Sequence, residues 1–325
     1  MASLSQATTA PKTTELSRHN FGAPHTLPTL TFLNQRNPRQ PNVIRQRILL
    51  QTLERIEQDG TRCHALAEAN VRRWFAERQA TSTPPSSSCE VRVLPGDWGQ
   101  VVLDLTREYG KCFAALNMAN AYGPGGGYAQ GMVAQEENMF RRTDCHFSLH
   151  QFDLDPRTRN ERYTAEKTSL LNAENNRVYL DVDQKRVCVR GPEDRKDNGK
   201  EGTLGYLWLE DDEIFPFYEL RAAAVDLRIH VRNPDFDWKK WQVEARKRIV
   251  AQLETLIEKG IRYVVLSAFG CGAFCNPAEK VAMLYREEIE LRKMEFDVVA
   301  FAIFHAGYGP NNFLPFELAF EGWKE

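Results

Sequence analysis

The chain has 325 residues, 42% hydrophobic and 26% charged, and its 42 basic and 44 acidic side chains leave a net charge of -2. That length can bury one large core or two modest ones. The mixed charge excludes a long-range field that would gather nucleic acid or an anionic membrane, so an anionic ligand has to be held locally. There is no apolar run of about 18 residues and no apolar signal core near the first residue, so neither a membrane partner nor secretion is expected.

Seven cysteines without a CxxC pair point to reduced thiols, in the cytoplasm or another reducing intracellular compartment. Residues 1–42 are rich in Ser, Thr, Pro and Asn and lack periodicity, which reads as a flexible arm. From Asn42, taken as an N-cap, apolar residues recur at Ile44, Leu49, Leu53 and Ile56 up to Gly60. A second helical pattern from Thr61 runs through Leu66, Val71, Trp74 and Phe75. These two helices and the linker "TSTPPSSS" make a helical extension over residues 43–88.

Residues 89–325 read as an α/β body. "VRVL" at 91, "VVLDL" at 101, "CFAALNM" at 112, "RVYLDV" at 177 and "KRVCVRG" at 185 have strand character. The charged string 191–202 reads as an exposed connection. Asp235 to Lys259 carries Trp238, Trp241, Ala245, Ile249, Leu253 and Ile257 at helical spacing and ends at Gly260. "RYVVLSAF" and "FDVVAFAIFH" are unbroken apolar runs, expected of strands covered on both faces. Between them "NPAEK" opens a helix, with Asn276 as N-cap, Pro277 first and Glu279 closing the capping box. The sum is a three-layer α/β/α domain on a mixed, largely parallel sheet with an N-terminal helical extension.

"NAYGPGGGYAQGMVAQEENMF", residues 120–140, carries the chemistry. A strand ending at Asn117–Asn120 delivers Gly125, Gly126 and Gly127 to the carboxyl edge of the sheet, where α/β proteins bind ligands. Three bare residues admit positive φ and let N–H groups approach an anion such as a diphosphate, although a lone glycine triplet is more often a turn. No GK[ST] follows, which excludes a P-loop. Glu136 and Glu137 are neighbours that diverge by about 100° on a helix, so they cannot share one job. Acid pairs at a helix start usually just answer its dipole. Close to a diphosphate, burial and like charge favour a protonated carboxyl, the acid that glycoside cleavage requires.

The glycine triplet, seven residues and then "QEE", set in "NMANAYGPGGGYAQGMVAQEENMFRR", resembles the signature of microbial-type poly(ADP-ribose) glycohydrolases. "VVLSAFGCGAFCNPAEKVAMLYREEI", residues 264–289, is similar to that branch's second ligand loop, and "FYELRAAAVD" at 217 is a weaker match. The resemblance spans roughly residues 90–320 and implies a macrodomain fold without metal or cofactor. It implies Glu137 as general acid and Glu136 as the partner of the ribose hydroxyls, supported by Gln135, with Asn120 near the reacting ribose. Gly125, Gly126 and Gly127 would face the diphosphate. Ser267, Gly270, Cys271, Gly272, Ala273 and Phe274 would close over it, Phe274 packing on the ribose. Asn117 departs from the acidic residue common in larger relatives.

The activity so implied is hydrolysis of ribose-ribose bonds in poly(ADP-ribose), releasing ADP-ribose. The alternatives are removal of a single ADP-ribose from a side chain, such as an arginine of a protein like ubiquitin, and a non-catalytic ADP-ribose reader. The partner is ADP-ribose or an ADP-ribosylated protein, and the chain is expected to be a monomer. His146 and His150 lack the third ligand of a zinc site. Cys271 and Cys275 read as small loop residues. Tyr308 and Phe313 are candidates for stacking on adenine or for the core.

Overall fold

A computed structural model describes residues 40–81, 89–194, 204–230, 233–305, 307 and 309–323. The expected arm lies outside these residues except for its last three, and the expected linker except for Thr81. In chain order the elements are α1 (Pro41–Thr81), β1 (Glu90–Pro95), α2 (Trp98–Tyr109), β2 (Ala114–Met118), α3 (Gln135–Arg142), α4 (Ala165–Leu171), β3 (Tyr179–Leu180) and β4 (Arg186–Cys188). They continue as β5 (Phe215–Ala222), α5 (Trp238–Glu258), β6 (Tyr263–Leu266), α6 (Ala278–Glu290), β7 (Val298–Ile303) and α7 (Phe313–Phe320).

The strands form one sheet in the order β1-β7-β6-β2-β5-β3, with β4 also paired to β5. β1, β7, β6, β2 and β5 run parallel, whereas β3 and β4 meet β5 antiparallel. Period-two alternation divides the side chains between two cores. Leu116, Leu220, Leu266 and Phe301 pack with α5, α6 and α7 on one face. Ala115, Phe217, Val265 and Ala300 pack with α1, α2 and α3 on the other. This is the expected three-layer mixed sheet. Among the described residues no helix is long and apolar enough to cross a membrane.

Four local expectations are corrected. The two front helices are one, because α1 runs straight through Gly60. A single helical glycine costs only about 1 kcal/mol, and Ile56 and Cys63 on either side of it bury in the same cluster as Val187 and Ile214. "VVLDL" is helical: the Asp97 side chain caps the N–H groups of Gly99 and Gln100, Gly110 closes the helix at φ 60°, and Trp98, Val101, Val102, Leu105 and Tyr109 bury one stripe. Two adjacent valines imitate a strand, and only the flanking caps reveal the helix. In α6 the N-cap position belongs to Pro277, with no side-chain cap, and Asn276 is turned elsewhere. On α5, Trp238 is 41% exposed while Trp241, Ala245, Ile249 and Leu253 are buried.

Candidate active site

β2 and β6 are neighbouring parallel strands, so the glycine loop after β2 and the loop after β6 leave the same carboxyl edge. Gln135 fastens α3 to that edge: its Oε1 accepts the N–H of Met118 at 2.9 Å and its Nε2 donates to the carbonyl of Leu116 at 2.7 Å. The first turn of α3 is thereby fixed over the end of β2.

The two carboxylates that follow are held in the same manner by different segments. Glu136 Oε2 accepts the N–H of Asn120 at 2.8 Å, and Glu137 Oε1 accepts the N–H of Gly127 at 2.9 Å. The second oxygen of each, Glu136 Oε1 and Glu137 Oε2, is buried and has no partner among the described residues. Each carboxyl is therefore held through one oxygen and leaves the other unengaged. Although neighbours diverge along the helix, these two both come up beside Gly126. A Cβ there would lie 2.6 Å from Glu137 Oε1 and 2.9 Å from Glu136 Oε2, on a residue at φ 60°.

The expectation that the triplet offers a row of N–H groups to an anion is not met by two of its members. Gly126 donates to the carbonyl of Gly123 at 3.0 Å and Gly127 to Glu137. What the glycines supply is room for the carboxyl pair. At Gly125, φ 69°, a Cβ would strike the ring of Tyr128 at 2.6 Å, and at Gly127 it would strike Met132 at 2.5 Å. Asn120 shapes the turn, its Oδ1 accepting from the N–H groups of Tyr122 and Gly123 at 2.8 and 2.9 Å.

Burial pushes the Glu136 carboxyl well above its ordinary 4.5, and the charge of Glu137 pushes it further, against the Asn120 N–H and Arg221. Beneath it, alternation along β5 places Glu219 and Arg221 on the α3 side, opposite Asn117 of β2. Arg221 is wholly buried; it donates to both oxygens of Glu219 at 2.8 Å, to Tyr163 Oη at 3.0 Å and to Ser148 Oγ at 2.8 Å. Asn117 Nδ2 donates to Glu219 at 2.7 Å. Burial would raise the Glu219 carboxyl, but Arg221 outweighs it and holds the group down at about 2. The two glutamates thus have opposite linkage. Stability from Glu219 is present above pH 4.5 and lost as pH falls toward about 2. Glu136 binds its proton more tightly when folded, so it costs stability as pH rises past 4.5. Glu136→Gln should accordingly raise the melting temperature at pH 7 relative to the parent, with the gain vanishing below pH 4.5. Melting curves that stay parallel across this range would contradict the assignment.

Sequence reasoning missed the clamp from α1. Gln46 Nε2 donates to the carbonyl of Ala129 at 2.9 Å and Arg45 Nη1 to that of Gly131 at 3.4 Å. Gly131, at φ 73°, packs so closely that a Cβ would lie 2.2 Å from the carbonyl oxygen of Asn42. From α3, Arg141 Nη1 donates to the carbonyl of Met132 at 2.8 Å. The string 191–202, expected to be an exposed connection, begins inside the molecule. Glu193 is buried in an ion pair with Arg45 at 2.7 Å and accepts from Tyr206 Oη at 2.7 Å. Residues 195–203 lie outside the described residues. The only sequence signal for this clamp is a helix that begins with polar residues on its apolar stripe. Gln46→Ala should cost about 1 kcal/mol of stability for the lost bond, read from thermal unfolding. An unchanged melting temperature would show that the loop does not need the clamp.

On the second loop, Ser267 Oγ is spent on the carbonyl of Ala302 at 2.8 Å. Cys271 is buried, whereas Gly272, Ala273 and Cys275 are exposed and Phe274 is half-buried. Arg228 lies 5.1 Å from the Phe274 ring centre. Among the described residues no acceptor takes the N–H of Gly272, Ala273 or Phe274, and a Cβ on Gly272 would meet nothing within 4 Å. Three successive donors of this kind can receive an anion. These are free donors of the kind expected of the glycine triplet.

Of the remaining candidates, His146 Nδ1 is engaged by Tyr128 Oη at 2.8 Å, and His150 stacks on Phe152 at 5.0 Å. Phe313 packs against the α5–α7 core, and Tyr308 lies outside the described residues.

Residues 45–179 match the family model for the microbial-type PARG catalytic domain. The match opens inside α1, spans the glycine loop and α3 and stops at β3, so the second loop lies beyond it. The chain matches no curated protein. Among solved structures, poly(ADP-ribose) glycohydrolase from Thermomonospora curvata is similar at TM-score 0.58 and 19% identity, over 85% of this chain and 99% of that one. The same protein bound to the inhibitor ADP-HPD gives 0.56 and 18%, over 84% and 98%. Poly(ADP-ribose) glycohydrolase from Deinococcus radiodurans in complex with ADP-ribose gives 0.51 and 23%, over 81% and 93%. At these identities the likeness is one of fold.

Proposed function

We infer that this chain, which matches the microbial-type PARG catalytic domain over residues 45–179, is a glycosidase that hydrolyses ribose-ribose bonds of poly(ADP-ribose) and releases ADP-ribose. The observation that carries the reading is the pair of adjacent buried carboxyls, each aimed by one backbone N–H and each with one oxygen unspent. A protein that only bound ADP-ribose would gain nothing from two desolvated acids beside a diphosphate. The solved structures with ADP-ribose and ADP-HPD add support for the ligand class.

In the mechanism, the N–H groups of Gly272, Ala273 and Phe274 receive the diphosphate. The ring of Phe274 packs on the adjoining ribose, and Glu136 Oε1 holds the ribose hydroxyls. Glu137 acts through Oε2, since Oε1 is taken by Gly127, and this is the oxygen that hands a proton to the leaving group. As the C1''–O bond breaks, that proton passes to the leaving oxygen and positive charge develops at C1'', which the nearby diphosphate stabilises. Water then adds to C1'' and returns a proton to Glu137. A bare alkoxide is a poor leaving group, so the acid is the indispensable element.

Polymer is favoured over a single protein-linked unit because the family model that matches the glycine loop and α3 is that of the microbial-type PARG catalytic domain. The test is hydrolysis of matched substrates, polymer against singly ADP-ribosylated protein, with the product identified. ADP-ribose released from polymer is expected. Cleavage of the singly modified protein alone would replace this reading with the mono-ADP-ribosyl hydrolase.

A further inference from the structure

Asn276 stands at the far end of the second loop, 5% exposed, and its carboxamide joins three segments. Nδ2 donates to the carbonyl of Val225, just past β5, at 2.7 Å and to that of Gly270 at 3.0 Å. Oδ1 accepts the indole N–H of Trp241, in the first turn of α5, at 2.7 Å. Its own backbone N–H also goes to the carbonyl of Gly270, at 3.0 Å. Gly270 is pressed onto this group: at φ 74°, a Cβ on it would lie 2.6 Å from Asn276 Nδ2 and 2.5 Å from the Cβ of Ala224. Both ends of the arch from Gly270 to Asn276 are therefore pinned to one carboxamide. The N–H groups of Gly272, Ala273 and Phe274 lie between those ends. Leu227 steadies the crown, donating to the carbonyl of Phe274 at 3.0 Å.

Donor and acceptor cannot be exchanged here. Three carbonyl oxygens face the NH2, that of Phe274 more distantly at 3.5 Å, and one N–H faces the oxygen, so only an amide satisfies them all. An aspartate would set an oxygen against these carbonyls, and burial would make that mismatch costly. The glutamate pair belongs to a different loop with its own anchors.

We propose that Asn276 is a positioning residue for diphosphate binding, holding the arch in the shape that turns three N–H groups toward the ligand. This rests on the reading that the arch receives the diphosphate. The experiment compares the parent with Asn276→Asp and, as a milder second variant, Trp241→Phe, which removes the indole donor while keeping an aromatic ring. ADP affinity is measured by calorimetry, KM and kcat on poly(ADP-ribose), and folding by thermal unfolding. Asn276→Asp should weaken ADP binding and raise KM at least tenfold, with kcat within a few-fold of the parent. Trp241→Phe should show the same split at about threefold, for loss of one hydrogen bond. A folded Asn276→Asp with parental ADP affinity, a fall in kcat at constant KM, or no change of KM in Trp241→Phe would each overturn the proposal. A parent that binds ADP yet cleaves neither polymer nor modified protein would refute the glycohydrolase reading and leave this one standing. A parent that binds no ADP would overturn this one.

Discussion

Glu137→Gln should lower turnover on poly(ADP-ribose) by on the order of 10²-fold or more, as for loss of a general acid, while ADP-ribose affinity stays near that of the parent. The amide keeps the shape of the side chain and an oxygen for the Gly127 N–H, so the loop should not move. What disappears is the second oxygen, the one able to deliver a proton. Affinity should survive because the expected diphosphate donors sit on the second loop, away from α3. Kinetics with calorimetry on the same preparation decide the matter: parental turnover removes Glu137 from the chemistry, and a parallel loss of affinity makes it a binding residue.

Gly126→Val should be at least as damaging, by a different route. Its Cβ would lie 2.6 Å from one carboxylate oxygen and 2.9 Å from the other, so both carboxyls must be displaced. A misplacement of about 1 Å costs about 10²-fold, and here both groups move together. A β-branched residue at φ 60° adds strain of about 1–3 kcal/mol. Turnover should fall further than ADP affinity, because Gly126 donates within its own loop. If ADP binding and turnover vanish together in a folded variant, the glycine triplet itself holds the diphosphate and the division of labour between the two loops is wrong.

These two variants bear on what a single sequence can reveal. The spacing of the glycines and "QEE" was enough to bring Gly126, Glu136 and Glu137 together, and the unbroken apolar runs at 263 and 298 identified two central strands. "VVLDL" misled because valine pairs belong equally to strands and to buried helix stripes, and the deciding evidence was the caps at Asp97 and Gly110. Gly60 misled because a glycine inside a helix looks like its end until the clusters on both sides are known to be one. The triplet's N–H groups were assigned to an anion when two of them serve neighbours instead, a choice made by side-chain geometry that no spacing records. The roles of Gln46, Asn276 and the Glu219–Arg221 pair were hidden for a related reason: they are polar residues whose partners include groups far off in the chain, and only the folded register shows what they hold.

The account turns on proton donation by Glu137, and the most direct measurement changes the leaving group. An ADP-ribose carrying a 4-nitrophenyl group at C1'' departs as a stable phenolate and needs no proton. On this substrate the Glu137→Gln defect should shrink at least tenfold relative to its defect on polymer, while the Glu136→Gln defect should be the same on both. Equal losses by Glu137→Gln on the two substrates would contradict the general-acid role.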